Sequence, residues 1–231
     1  MRLAIIPARG GSKRIKNKNI INFCGQPIIS YPLAAAKKSN LFDKIHVSTD
    51  CETIASNVRK LGYEIDFMRD ASLADDHTGL IPVVNWVYEK YKTLGQVYSE
   101  ICLILPTSPL LLSADLTEAH KLFESQNQSI TVMSTGRFEV PTQWALKKSA
   151  DGVLHPLWPD QLQIRSQDLE EHFYDAGSFY FMSSSKIDEF SKNGFIPYLI
   201  PKNRCIDIDE ESDLILAESL YKILNPHRGE S

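Results

Sequence analysis

Two carboxylates near one end of the chain and a cluster of cations near the other have the types and spacing to do chemistry. Asp207 and Asp209 stand two residues apart. On an extended backbone, residues i and i+2 project to one side, so the pair can share one cation. Mg²⁺ suits it, because Mg²⁺ takes one or two carboxylates together with phosphate oxygens. The competing reading makes Asp209 the cap of a helix that begins at Glu210, a role that leaves Asp207 unexplained. Near the start, Arg9, Lys13, Arg14, Lys16 and Lys18 crowd around a Gly10-Gly11-Ser12 turn. Glycines let backbone approach an anion and turn N–H groups inward, while the cations neutralise charge, so this loop could hold a polyphosphate. It is neither G-x-x-x-x-G-K-[ST] nor G-x-G-x-x-G, and its competing reading is a solvated basic loop. A third group runs Arg165-Ser-Gln167-Asp-Leu-Glu-Glu171, then Tyr174-Asp-Ala176-Gly-Ser-Phe-Tyr180. It could form a polar sugar pocket or equally a solvated helix start.

The position of the basic loop favours the phosphate reading. An apolar run over residues 3–7 predicts a buried strand that empties directly into the loop, and ligands of α/β sheets bind beyond the carboxyl ends of strands. Further strands are expected at 44–49, 64–69, 100–105, 129–134, 177–182, 195–200 and 204–209. Helices are expected at 28–38, from Asp50 or Cys51 to Leu61 with Gly62 as the stop, at 81–92, from Ser113 or Asp115 to about Phe123, and at 210–224. The last helix is expected to turn Leu214, Leu216, Ala217, Leu220 and Leu224 to the core. Such alternation means βαβ units and a mostly parallel sheet. The stretch 136–174 breaks it with aromatics and prolines, Trp144 and Trp158 among them, and reads as an excursion from the sheet: a lid, a substrate arm or a subunit interface.

The 231-residue chain is 43% hydrophobic and 23% charged, within the range of one α/β domain over 1–231. Its formal net charge of -4 argues against a nucleic-acid partner. No apolar run approaches the length of a membrane span, and no signal-peptide pattern opens the chain. Cys24, Cys51, Cys102 and Cys205 lie far apart without metal-ligand spacing, and Cys51 and Cys102 read as small core residues. The expected location is the cytoplasm.

Ile6-Pro-Ala8-Arg9-Gly10-Gly-Ser12-Lys13-Arg with Lys18-Asn19, Val47-Ser-Thr-Asp50, Leu105-Pro-Thr-Ser-Pro109 and Asp207-Ile-Asp209 together resemble the CMP-sugar-acid synthetases, cytidylyltransferases that activate nine-carbon sugar acids. The match runs in order over nearly the whole chain, and the stretches at 141–147, 165–171 and 175–180 look most like the pseudaminic acid branch. The resemblance implies a Rossmann-like, GT-A-like nucleotidyltransferase fold in three layers, a homodimer with 136–174 as its arm, and Mg²⁺ dependence. It implies that CTP and a nine-carbon sugar acid, pseudaminic acid first, yield a CMP-sugar for surface-glycan or flagellin glycosylation. N-acetylneuraminic and legionaminic acid are the alternatives. By position it assigns Ala8, Arg9, Gly10, Ser12, Lys13, Lys18, Asn19, Arg69 and Thr78 to the nucleotide. Asp207 and Asp209 are assigned to the metal, and these two with Arg9 and Lys18 to catalysis. Leu105, Arg165, Gln167, Ala176 and Tyr180 are assigned to the sugar acid. Sialic-acid synthetases usually carry Gln before Pro-Thr-Ser-Pro and Arg shortly after it, where this chain has Leu105 and Leu111; the first change weakens the sialic acid reading. Two other classes remain. A GT-A-like glycosyltransferase would carry its D-x-D mid-chain, and a silent nucleotide-binding module would need neither aspartate.

Overall fold

Alternate side chains of a strand point to opposite faces of a sheet, so a strand apolar on both faces needs cover on both. The first strand, β1 (Arg2–Pro7), is of this type, with Leu3, Ala4, Ile5 and Ile6 all fully buried. The computed structural model describes residues 1–226. After β1 come a small hairpin of β2 (Asn22–Phe23) and β3 (Gln26–Pro27), then α1 (Ser30–Ser39), β4 (Lys44–Ser48) and α2 (Glu52–Lys60). Next are α3 (Leu80–Thr93), β5 (Glu100–Ile104), α4 (Ser113–Ser125) and β6 (Thr131–Arg137). The chain then leaves the main sheet, forms a hairpin of β7 (Leu146–Lys148) and β8 (Leu154–Pro156), and returns through β9 (Phe173–Ser183), β10 (Phe195–Leu199) and α5 (Glu211–Leu224).

The six-stranded sheet has the order β10-β6-β9-β5-β1-β4. β1 pairs in parallel with β4 and β5, so that Ile5 faces both His46 and Leu103, and β10 is parallel to β6. β9 alone runs against its neighbours β5 and β6. Side chains sort by parity. Ala4, Ile6, Cys102, Ile104, Phe179 and Phe181 enter one cluster with Leu33 of α1, Val58 of α2 and Phe123 of α4. Leu3, Ile5, Ile101, Leu103, Tyr180 and Met182 enter another with Val84, Val87 and Tyr91 of α3. The result is a sheet between helical layers, as the alternation predicts. A third cluster, with Phe23, Ile28, Leu110, Ile208, Ala217 and Tyr221, seats α5 beside the hairpin. The β6–β9 pairing is irregular at Met133/Thr135, where the buried Ser134 hydroxyl accepts the Ser178 and Phe179 N–H groups at 3.2 and 2.9 Å.

Three sequence expectations need correction. Residues 64–69 form no strand. They flank the edge strand β4, and the only backbone bond between them is Arg69 N–H to Thr49 O at 2.8 Å, while Asp66 is taken by Lys44 and Tyr91. Residues 204–209 form no strand either, because Arg204 turns toward α4 and no neighbour supplies a ladder. On α5, Leu216 and Leu224 are 54% and 38% exposed, and Tyr221 takes the inward place beside Ala217. All four cysteines are free, with Cys102 buried and Cys51 partly so. Among the described residues, no helix is long and apolar enough to cross a membrane.

Candidate active site

The basic loop is held by its neighbours before any ligand arrives. Ala8, fully buried, continues the β1 register by donating its N–H to Ser48 O at 2.8 Å. Gly10 N–H then donates to Asp50 Oδ1 at 3.0 Å. A Cβ on Gly10 would lie 2.9 Å from the Cys51 Cβ, so a side chain there would push the loop off β4. Asp50 is therefore spent on the loop and does not cap α2. The buried Asn19 donates its side-chain amide to Arg9 O at 2.9 Å and fixes the backbone from the other end.

The loop forms one wall of a cavity of about 600 Å³. Arg9, Ser12, Lys13, Lys18 and Asn19 line it with Arg69, Thr78 and Asp209, so eight of the sequence-assigned residues meet in one place. Ala8 and Gly10 support this wall without lining it. Four of the loop cations already have an anion. Arg9 pairs with Asp76 at 3.0 Å, and Lys13 shares that carboxylate. Lys18 and Arg14 hold the two oxygens of Asp209 at 3.0 and 2.9 Å. Across the cavity Arg69 is buried, with Nε donating to Ser48 Oγ at 3.0 Å. Burial lowers its pKa to about 10, so it stays charged near neutrality. Pro7, Leu80 and Val83 add an apolar side next to it.

The aspartate pair is set by what lies between and after it. Ile208 is fully buried in the third cluster; of its neighbours, Asp209 lines the cavity and Asp207 lies outside the lining. The helix starts with Glu210 at the N-cap, not Asp209, and Asp213 closes the capping box: its Oδ2 accepts the Asp209 and Glu210 N–H groups at 3.0 and 2.8 Å. The Asp209 carboxylate is thus left for the cavity. Partial desolvation raises its pKa, but the Lys18 hydrogen bond and the charges of Lys18 and Arg14 outweigh this and hold it low. Asp207 behaves oppositely: desolvation, then the like charge of Asp209, pushes its carboxyl up. Among the described residues it accepts no side-chain hydrogen bond and makes no ion pair. A carboxylate so placed beside a second one fits a hard divalent cation, which would relieve the like-charge strain. Gly177, at φ +60°, passes beside it, and a Cβ there would sit 3.5 Å from the Asp207 carboxyl carbon.

The residues assigned to the sugar acid are more dispersed, and none of them lines the cavity. Tyr180 is buried and donates its hydroxyl to Asp175; burial, then that bond, raises its pKa. Leu105 is half-buried at the end of β5, its N–H bonded to Ser178 O at 2.8 Å. Ala176 is buried in the larger cluster, as is Leu111. Arg165 and Gln167 are exposed on a short turn of the excursion between β6 and β9. Sequence reasoning assigned no individual role to Arg14 beyond its charge and none to Asp75 or Thr107, all of which line the cavity. Arg14 was visible as one more charge of the loop; Thr107 carried no signal beyond its Pro-Thr-Ser-Pro setting.

The sequence family described as Cytidylyltransferase matches residues 3–153. The chain belongs to this family. It is a CTP-using nucleotidyltransferase, and the basic loop and all of β1 after Arg2 lie inside the matched region. Over 224 residues this cytidylyltransferase is 38% identical to a pseudaminic acid cytidylyltransferase of Campylobacter jejuni, covering 96% of each chain. It is 29% identical over 227 residues to a CMP-N,N'-diacetyllegionaminic acid synthase of Legionella pneumophila, again covering 96% of each. The fold is that of a CMP:2-keto-3-deoxy-manno-octonic acid synthetase solved with CTP. The TM-score is 0.70 at 14% identity, over 96% of this chain and 99% of the other.

Proposed function

We propose that this cytidylyltransferase makes CMP-pseudaminic acid and pyrophosphate from CTP and pseudaminic acid, in the cytoplasm and as a homodimer. The carrying observation is the 38% identity to the Campylobacter jejuni enzyme across 96% of both chains. The apolar Leu105, where sialic-acid synthetases usually have Gln, supports the same choice of sugar.

In this reading the anomeric hydroxyl oxygen of the sugar acid attacks the α-phosphorus of CTP in line, and pyrophosphate leaves. Charge grows on phosphate oxygens, so positioning and electrostatic stabilisation supply most of the acceleration. Arg9, Lys13 and Lys18 exchange their ties to Asp76 and Asp209 for phosphate oxygens, which frees the Asp209 carboxylate for a divalent cation. Asn19 keeps the Arg9 backbone in place during this exchange. Arg69 and the apolar side of Pro7, Leu80 and Val83 receive the base, with Thr78 and the neighbouring backbone as polar contacts. Asp207 and Asp209 would hold Mg²⁺, which when bound supplies charge neutralisation at the α-phosphate and lowers the pKa of the attacking hydroxyl.

The stretch between β6 and β9 exposes Val140 at 63%, Leu154 at 56% and Trp158 at 45%, an apolar surface suited to burial in a dimer. In the same stretch Trp144 Nε1 and Gln143 Oε1 are buried without a partner. Arg165 and Gln167 do not line their own chain's cavity, and the proposed dimer is what would bring them to a sugar acid held by the partner.

Incubation with CTP and Mg²⁺, and with pseudaminic, legionaminic or N-acetylneuraminic acid in parallel, tests the proposal. Pyrophosphate release is expected with pseudaminic acid at a kcat/KM at least tenfold above the others. A preference for either of the other acids would overturn the sugar assignment, and release independent of any acid would overturn the reaction.

A further inference from the structure

One ion pair outside the sequence motifs grips the segment that carries the aspartates. Arg204 lies three residues before Asp207, and its guanidinium reaches the N-terminus of α4. Nη2 donates to Asp115 Oδ1 at 2.8 Å, and Nη1 donates to Asp115 Oδ2 and to Leu110 O, the latter at 3.3 Å. Asp115 is buried at 3% exposure, and its remaining acceptor sites take the Leu112 N–H at 2.9 Å and the Tyr198 hydroxyl at 3.1 Å. A two-pronged Arg–carboxylate contact with every lone pair filled fixes direction as well as distance. As a source of stability alone such a buried pair is a poor choice, since apolar residues of similar volume usually do as well.

What it fixes is the frame around Asp207. Residues 106–112 touch that frame at three points. Arg204 bonds Leu110 O and, through Asp115, the Leu112 N–H. Leu110 packs in one cluster with Ile208, the residue between the two aspartates. Ser108 Oγ donates at 3.2 Å to the carbonyl of Gly177, which lies beside the Asp207 carboxyl. With no strand ladder over 204–209, these contacts replace the ladder.

We propose that Arg204, acting through Asp115, is a positioning residue that sets the Asp207–Asp209 pair for the divalent cation. This rests on the proposed metal role of that pair. Arg204 does not line the cavity, so its loss changes metal binding and turnover and spares metal-free CTP binding.

The test measures Mn²⁺ affinity by electron paramagnetic resonance, CTP affinity by calorimetry in EDTA, and kcat and KM for CTP. Arg204→Lys keeps the charge and loses the fork; Tyr198→Phe removes one bond to Asp115 and keeps the pair. For Arg204→Lys, Mn²⁺ binding should weaken and kcat fall by about 10- to 100-fold, the usual cost of losing a residue that orients metal ligands. Metal-free CTP affinity should stay within about twofold, and Tyr198→Phe should shift both values in the same direction by less. Wild-type Mn²⁺ affinity and kcat in folded Arg204→Lys would overturn the clamp, as would a loss of metal-free CTP affinity equal to the loss of kcat. If Arg204→Lys does not fold, unchanged Mn²⁺ affinity and kcat in Tyr198→Phe overturn it. Asp207→Ala separates the two layers: if it binds Mn²⁺ as wild type does, the metal reading fails first. If it loses Mn²⁺ while Arg204→Lys does not, the clamp alone fails.

Discussion

In the proposed reaction Lys18, 19% exposed and joined to Asp209, is the cation kept in place for the phosphates. A preorganised donor of this kind costs little reorganisation when charge develops, and removing one typically lowers kcat by about 10²- to 10³-fold. Lys18→Met is therefore expected to lose kcat by that factor, with a Tm close to wild type; a kcat within threefold of wild type would remove Lys18 from catalysis. Asp209→Ala is expected to lose turnover at least as severely, and a variant that folds and still forms CMP-sugar near the wild-type rate would refute the metal assignment. Away from the site, His46 is wholly buried, and burial lowers its pKa to about 3 against an ordinary value of 6.5. Tyr91 donates its hydroxyl to Asp66 at 2.5 Å, so the 3.0 Å contact with His46 Nδ1 requires the ring to donate there, and Nε2 is left buried and bare. The sign follows from proton counts: below 6.5 the unfolded chain binds a proton that the folded chain refuses. Stability from this group is full above about pH 6.5 and drains as pH falls toward 3. Between pH 7.5 and 5.5 it amounts to about 1 kcal/mol. Urea titrations at both pH values should show this difference in the wild type and its loss in His46→Gln.

Helix α5 and the segment before it show how elements divide the work. Asp213 closes the capping box at Glu210, so Asp209 need not cap the helix, and one carboxylate at the turn is structural while its neighbour faces the cavity. Asp213→Ala opens the capping box at Glu210 and is expected to cost about 1 kcal/mol and to lower Tm by about 2–4 °C. Because Asp213 also holds the Asp209 N–H, kcat should fall as well; a Tm loss with unchanged kcat would confine its role to the helix. Elements with a complete local signal were legible in the sequence: β1 and β5 as continuous apolar runs, and α2 with its Gly62 stop. Residues 64–69 and 204–209 carried the same alternation and are not strands. An extended segment becomes a strand only when a neighbour offers its backbone, and nothing within six residues encodes that neighbour. The faces of α5 were misjudged for a related reason: several apolar positions compete, and the cluster around Phe23 and Ile28 decides that Tyr221 faces in while Leu216 and Leu224 stay out.

For the whole molecule, the exposed apolar residues between β6 and β9 lead to an expected particle of twice the 26.1 kDa chain mass at micromolar concentration. Trp158→Asp should shift it toward the monomer by light scattering, and a monomeric wild type would refute the dimer. The chemistry of the site was written locally: a strand followed by glycines and cations, and two carboxylates two residues apart, are short-range patterns, and their order along the chain suffices to suggest CTP and a metal. Their assembly was not. The cavity joins residues 7–19, 69–83, 107 and 209, which meet only because β1 lies between β4 and β5 and because Ile208 is buried under α5. Asp76 as the resting partner of Arg9 and Lys13, and Arg204 gripping Asp115 across 89 positions, are contacts between distant parts of the chain. Residue types state what a group can do. Which groups do it together depends on burial and on backbone pairing, and both are properties of the folded whole.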